Sequence, residues 1–593
     1  MARRMAHRGP DGEGTWHDAV AGLAIRRLAI IDLHERSNQP LHFGPWHLVF
    51  NGEIYNYLEL RDELRRLGHE FVTEGDGEVL LHAWAQWEDS ALERFNGMFA
   101  FALWHDERRE LVCACDPFGE KPLFWSQAGE RLVFASDVRA VLQARPDLGR
   151  PHDEALGPYL GRGVMPPIDE SFFGGIHRLP GAHILRFSAG VADVRRYWSP
   201  RRVDVPAGYG EAVEGLCELL TDSIRLRLRA DVPVGTSLSG GLDSSAIVSL
   251  AGRIAGDHTR HAFTARFPGF ERDEWRYADA VAHAAGVGEH HAVEPTAADL
   301  LLELDTLVRF QEEPFGSTSI YAQWQVMRAA RDAGVIVLLD GQGGDELFAG
   351  YAGSNGWALR SEGPFSVARG LVSARDRGAV LRALGSEELP ASVVRWYRRR
   401  EVTPYAAADV GEAAVRAITP SMRGDGLSGP LSRELLRQSF HTTIPALLRY
   451  ADRSSMAFSR EVRLPYLDRR VAEYAYSLPP DFLYRDGVTK AVLREAVRGL
   501  VPDVVLARRD KVGYETPQAR WLSEPASVAR VAEVLLDSRA RTRGLYDTRT
   551  IEADVRVGRW RDTDGIWRAL NLELWLGAFE GAAPDDTTSV GVA

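Results

Sequence analysis

Val232-Pro-Val-Gly-Thr-Ser-Leu-Ser-Gly-Gly-Leu-Asp-Ser-Ser245 decides the fold. An apolar, strand-like run feeds a loop of small residues, and Ala246-Ile-Val-Ser-Leu-Ala251 then reads as the start of a helix. Glycines let a backbone approach an oxyanion closely, and a helix N-terminus offers unpaired N–H groups with a favourable dipole. Ser239, Ser244 and Ser245 add hydroxyl donors, and Asp243 adds a carboxylate able to hold Mg²⁺ against phosphate oxygens. No lysine follows the glycines, so this is not the Gly-x-x-x-x-Gly-Lys-Ser/Thr loop. A strand–Gly-Gly–helix turn is also a plain connection in many α/β sheets, so the reading needs company.

A second glycine loop supplies it. Val335-Ile-Val-Leu-Leu-Asp340 reads as a buried strand, and Gly341-Gln-Gly-Gly-Asp-Glu-Leu-Phe-Ala-Gly-Tyr351 follows it. Open α/β sheets place ligands at the carboxyl ends of their strands. The two loops are expected at opposite ends of one parallel sheet. Ser239-Gly-Gly-Leu-Asp-Ser-Ser245 resembles the pyrophosphate loop of the ATP pyrophosphatases, and from about Met5 to about Leu576 the chain resembles the glutamine-dependent asparagine synthetases. That resemblance implies an ATP site of Leu238, Ser239, Gly240, Gly241, Leu242, Asp243, Ser244, Ser245, Ala265, Asp340 and Gly341, with Asp243 and Asp345 holding Mg²⁺. Asp486-Gly-Val-Thr-Lys490 resembles the family segment whose lysine neutralises the departing pyrophosphate, and Lys511-Val-Gly-Tyr-Glu-Thr-Pro-Gln518 completes the set. Gln342 departs from the glutamate expected beside the acyl-adenylate, which opens the acceptor to carboxylates other than aspartate. Glu312-Glu-Pro-Phe315 resembles the family without settling the acceptor. The pair His290-His291 suggests a metal, but neighbours on a strand point to opposite faces.

The first third reads as β-rich, from short apolar runs between polar turns: Leu23-Ala-Ile25, Leu28-Ala-Ile-Ile31, His47–Phe50, Phe99–Trp104, Glu110–Cys115 and Arg131–Ala135. Residues 58–67 and 77–87 carry helical spacing. His7-Arg-Gly-Pro-Asp11, Asn51-Gly-Glu-Ile-Tyr-Asn56, Glu74-Gly-Asp76 and Asp116-Pro-Phe-Gly119 resemble an N-terminal-nucleophile glutaminase domain. The resemblance gives Arg27 the α-carboxylate of glutamine, Glu53 and Asp76 its α-ammonium, and Asn51 with Gly52 the oxyanion hole. The family's nucleophile is an N-terminal cysteine ahead of the His-Arg-Gly-Pro-Asp turn, and here no cysteine precedes Cys113. The chain as written is therefore expected not to hydrolyse glutamine. Either the head lies upstream of Met1 or the domain has lost it, and retention of Arg27, Asn51 and Asp76 favours the first account. Cys115 stands where the family carries arginine, which is expected to loosen the loop at Asp116.

The fold class expected is α+β followed by α/β. An antiparallel β-sandwich flanked by helices spans residues 1–196, truncated at its start, and a linker covers 197–210. A doubly wound parallel-sheet domain with a helical C-terminal part fills 211–580, and a small-residue tail, 581–593, is expected to be disordered. The chain has 593 residues, is 45% hydrophobic and 26% charged, and so has ample material for a core. Its net charge of -12 argues against a nucleic-acid partner. Three cysteines are too few for a disulfide framework, and the Cys113-Ala-Cys115 alternation favours buried thiols. With no membrane-length apolar run, the expected location is cytoplasmic, with partners glutamine or ammonia and aspartate or another carboxylate, and a homodimer implied by the resemblance.

Overall fold

The computed structural model describes residues 1–255, 260–351, 353–373, 377–388, 391–417, 424, 426–509 and 515–579. Residues 511–514 of the Lys511–Gln518 motif and the tail 581–593 fall outside them.

The first domain is built on a six-stranded antiparallel sheet. Its strands are β3 (Leu41–Phe43), β4 (Trp46–Ile54), β5 (Gly97–His105), β6 (Glu110–Cys115), β10 (His183–Ser188) and β11 (Val191–Arg196), in the order β11-β10-β6-β5-β4-β3. The period-2 pleat splits its core into two layers. Leu48, Phe50, Phe99, Phe101 and Leu103 face the helices α1 (Tyr57–Arg66) and α2 (Asp76–Trp87). Val49, Ala100, Ala102, Trp104, Cys113 and Cys115 face two small sheets on the other side. One pairs β1 (Gly12–His17) with β2 (Gly22–Arg27). The other orders β7 (Phe124–Ala128) between β8 (Arg131–Ala135) and β9 (His177–Arg178). Burial pushes both thiols up, so Cys113 and Cys115 act as small apolar residues.

The second domain carries a five-stranded parallel sheet: β12 (Val234–Ser237), β13 (His261–Ala265), β14 (Glu289–Val293), β15 (Val337–Leu339) and β16 (Glu461–Arg463), in the order β14-β13-β12-β15-β16. The chain winds outward in both directions from the β12–β15 boundary, which is the topological switch point. Both glycine loops therefore leave the same carboxyl edge, on adjacent strands. The expectation of opposite ends is corrected, because β12 and β15 pair directly although a hundred residues separate them. No helix among the described residues is long and apolar enough to cross a membrane.

Two further expectations change. Leu28–Ile31 is not a strand: Ile30 and Ile31 bury themselves against Val337 of β15, so the run is spent on contact between domains. The loop at Asp116 is not loosened by Cys115. The Asp116 carboxylate, fully buried, accepts the backbone N–H groups of Phe99, Phe118, Gly119, Glu120 and Lys121, which hold the turn without a guanidinium.

Between the domains lies buried charge. Arg8 bonds Asp137 and Asp452 at 2.7–3.0 Å, and Arg453 reaches Asp137, Asp452 and Glu312 at 2.7–3.0 Å. Against the upward push of burial, Arg8 and Arg453 hold the Asp137 carboxyl well below the usual carboxylate range. Glu312 also accepts the N–H groups of Val138 and Arg139, so this glutamate of the Glu-Glu-Pro-Phe motif is an interface residue. Residues 197–208 run irregularly over the second domain, where Trp198 is buried against Phe440 and donates to Glu473. Removing one partner of a buried ion cluster leaves uncompensated charge. Arg453→Ala is expected to cost about 3–5 kcal/mol in urea unfolding, whereas Arg530→Ala, in an outer pair with Asp305, should cost under about 1 kcal/mol. Equal losses at the two positions would contradict this account of the interface.

Candidate functional site

The loops after β12 and β15 meet over one cavity of about 340 Å³. The first loop organises itself: Ser239 Oγ lies 3.0 Å from Ser244 Oγ, and the Gly241 N–H donates to Ser239 Oγ at 3.3 Å. The helix Leu242–Ala255 starts from this turn, with the Ser245 N–H donating to the Gly241 carbonyl. At the head of the second loop burial pushes the Asp340 carboxyl up, and the neighbouring Ser237 hydroxyl and the backbone of Gln342 and Gly341 offset part of that rise.

Two glycines allow the loops to close on each other. A Cβ on Gly344 would stand 2.6 Å from Asp243 Cγ. One on Gly350 would lie 2.0 Å from Asp345 Oδ1 and 2.1 Å from Lys490 Cε. In the space so preserved, Lys490 Nζ lies 2.5 Å from Asp243 Oδ2 and 2.6 Å from Asp345 Oδ1. A short hairpin, Tyr484–Arg485 with Val488–Thr489, delivers this lysine, whose left-handed backbone (φ 55) lets the helix Ala491–Ala496 begin immediately after it. Burial lowers the Lys490 ammonium from its ordinary value while Asp243 pulls it back up. The ammonium marks the point on which both carboxylates converge, so the oxygen donors fit a divalent cation such as Mg²⁺. Gln342 lines the same cavity, and its Oε1 is buried with no hydrogen-bond partner among the described residues.

Of the expected nucleotide residues, Ser239, Gly241, Leu242, Asp243, Ser244, Asp340 and Gly341 line this cavity. Leu238, Gly240, Ser245 and Ala265 do not. Leu238 and Ser245 are buried behind the loop, and Gly240 turns its carbonyl to Arg508. Sequence reading missed Arg508, Glu274, Arg494 and Tyr351, which also line it. Arg508 Nη1 donates to Glu274 at 2.6 Å and to the Gly240 carbonyl at 3.2 Å, and its guanidinium sits 4.1 Å over the Tyr277 ring. No local spacing links residues 274 and 508, so only folding reveals that pair.

A second cavity, of about 380 Å³, lies in the first domain and is lined by Arg27, Asn51, Gly52, Glu53 and Asp76 together. Its floor continues into the second domain through Lys121, which bonds Glu461 at 3.1 Å, and through Arg463, 2.9 Å from Glu461 and 3.7 Å from Glu53. Burial, reinforced by Asp76 and Glu461, pushes the Glu53 carboxyl well up, and its Oε2 has no hydrogen-bond partner among the described residues. Burial likewise raises Asp76 to about 6. Two buried carboxylates, Glu53 with an unpartnered oxygen and Asp76 beside it, suit an ammonium ligand. Arg27 gives its terminal nitrogens to the carbonyls of Ile31, Asp32 and His34 and to Asn38 Oδ1, and so fixes the wall of the cavity.

A helix-flanked antiparallel domain with one cavity, joined to a parallel-sheet domain whose two glycine loops close over another, is the layout of a two-domain amidotransferase. The family comparisons agree. The model for asparagine synthase matches residues 215–577, and that for a glutamine amidotransferase domain matches residues 1–198. The chain belongs to the asparagine synthase family. It is 36% identical to a putative glutamine-hydrolyzing asparagine synthetase of Mycobacterium tuberculosis, over 87% of this chain and 83% of that protein. It is 30% identical to glutamine-hydrolyzing asparagine synthetase 1 of Bacillus subtilis, over 88% of this chain and 84% of that protein. Amidase chry2 of Gibberella zeae is 26% identical over 95% of this chain and 91% of its own length.

Gly350→Ala is expected to drive the Asp345 carboxylate and the Lys490 stem apart and to weaken ATP binding at least tenfold in calorimetry, with little change in melting temperature. Unaltered affinity would mean the loops do not meet this way in solution. For Asp76, a carboxyl raised in the folded state adds stability below its unfolded value and loses it as pH rises through about 6. Asp76→Asn removes that titration and keeps an acceptor for the Ile54 N–H. Relative to the parent, its ligand-free melting temperature should therefore gain between about pH 4 and about pH 7, by the equivalent of roughly 1–3 kcal/mol. A difference that stays flat over that window would refute the buried-carboxylate account.

Proposed function

We propose that this chain forms an amide by activating a carboxylate with ATP and displacing AMP with ammonia drawn from glutamine, and that aspartate is the carboxylate. The observation that carries the reading is the convergence of Asp243, Asp345 and Lys490 at the switch point of an asparagine-synthase-family sheet. In the first step an acceptor oxygen attacks the α-phosphorus, and the bond to the bridging oxygen breaks. Pyrophosphate departs with the electron pair. Ser239, Gly241 and Ser244 line the place for the phosphates, and Lys490 supplies positive charge as it grows on the leaving group. Asp243 and Asp345 would hold Mg²⁺, whose chemistry is to screen the triphosphate from an anionic nucleophile. In the second step the lone pair of ammonia attacks the acyl carbon, AMP leaves, and the new amide nitrogen sheds a proton. Gln342 can hydrogen-bond in this step but cannot take that proton.

In the first domain, Glu53 and Asp76 are assigned to the α-ammonium of glutamine, Arg27 to its α-carboxylate, and Asn51 with Gly52 to the oxyanion. The domains so assigned are 1–196 and 211–580, joined through 197–210. Gln342 supports a second reading, in which a different carboxylate, such as one on a sugar or a secondary metabolite, is amidated or closed intramolecularly. Its unpartnered buried carbonyl suits an acceptor that brings its own N–H or O–H.

Ammonia is the nitrogen source of choice in the test, because the outcome then does not depend on glutamine cleavage. The expected result is ATP-dependent pyrophosphate release that requires aspartate and falls at least 100-fold in Lys490→Met. Release with another carboxylate and none with aspartate moves the case to the second reading. Nucleotide binding without release on any acceptor makes this a non-catalytic glutamine- and nucleotide-binding protein.

A further inference from the structure

At the far edge of the parallel sheet, β13 and β14 bring together side chains that the amide-forming chemistry does not use. Their parallel register sets His261 beside Glu289 and Phe263 beside His291. Paired residues of neighbouring strands share a face, as do residues two apart on one strand. His261, Glu289 and His291 therefore stand on one side. His290 faces the other way, stacked on Trp275 with its Nε2 2.8 Å from Thr264 Oγ1. The His290-His291 dipeptide is thus not a chelating pair, as its alternation implied. The partner of His291 is His261, thirty residues earlier and on the adjacent strand.

The geometry of the three groups is specific. His261 Nδ1 lies 3.0 Å from His291 Nε2. Glu289 Oε2 lies 3.6 Å from the first nitrogen and 3.4 Å from the second. A tetrahedral zinc ion with bonds of about 2.0–2.1 Å sets its ligand atoms about 3.3 Å apart, and the observed triangle brackets that figure. His291 lies flat on the Phe263 ring, with centroids 4.6 Å apart and planes within 10°, which fixes the direction of its nitrogen. Burial and the neighbouring His261 lower the His291 imidazole from its ordinary value.

We propose that His261 Nδ1, His291 Nε2 and the Glu289 carboxylate form a binding site for one divalent transition-metal ion of the zinc class. Two imidazoles and one carboxylate suit zinc or nickel, whereas magnesium and calcium prefer all-oxygen sets. Three protein ligands leave a fourth position to solvent, since Glu289 is half exposed. β14 ends the sheet, and an ion gripped by ligands from both strands clips that edge strand to β13. The site is separate from both cavities described above, so it stands or falls independently of the amide-forming function.

The test uses the tag-free full-length chain, stripped of metal and dialysed against micromolar free Zn²⁺. The parent should retain one more equivalent of zinc than His261→Asn/His291→Asn, and each single substitution should weaken binding at least tenfold. Glu289→Gln should weaken it less, and millimolar Mg²⁺ should not compete. Co²⁺ should give the visible absorption of a four-coordinate centre in the parent and lose it in the double variant. Zinc should also raise the melting temperature of the parent and leave that of the double variant unmoved. If the double variant does not fold, Glu289→Gln and His291→Asn carry the same comparison. Equal zinc retention by parent and variants would overturn the site and leave a hydrogen-bonded imidazole pair in its place.

Discussion

One ammonium shared between two carboxylates organises the second domain. Lys490, Asp243 and Asp345 come from three segments far apart in the chain, and each is nearly removed from water. Two anions on adjacent loops would repel at this distance without a cation between them. The cation decides how closely the loops approach, and that approach sets the width of the cavity between them. The bare faces of Gly344 and Gly350 are the steric condition for the same contact.

Buried charge recurs where the domains join, and there it has a different consequence. Arg8, Arg453, Asp137, Asp452 and Glu312 pair with one another across the boundary. Such clusters contribute little net stability compared with apolar packing, but they penalise any arrangement in which a partner is missing. They therefore fix how one domain sits on the other. The first-domain cavity shares this logic: Glu461 of the second domain lines it, and Arg463 stands 3.7 Å from Glu53 behind it. The electrostatics of the first cavity thus depend on the second domain being in place.

Much of the architecture was legible because its signals are local. The short apolar runs His47–Phe50 and Phe99–Trp104 announced strands, and they lie inside β4 and β5 with a packed layer on each face. The helices at 57–66 and 76–87 followed from their spacing. Leu28–Ile31 misled because an apolar run cannot declare whether it will pair as a strand or plug a neighbouring domain. Cys115 misled because the turn at Asp116 is held by backbone N–H groups, which every sequence carries and none displays.

By itself, the sequence determined the two sheet types, the two glycine loops and the residue types at each site, since these depend on periodicity and on chemistry carried by neighbours in the chain. Only the tertiary structure decided that the loops leave adjacent strands, that Arg508 braces Gly240, and that His261 rather than His290 faces His291. Strand order and cross-strand register set those neighbours. Both are fixed by the packing of segments tens to hundreds of residues apart, which no local pattern encodes.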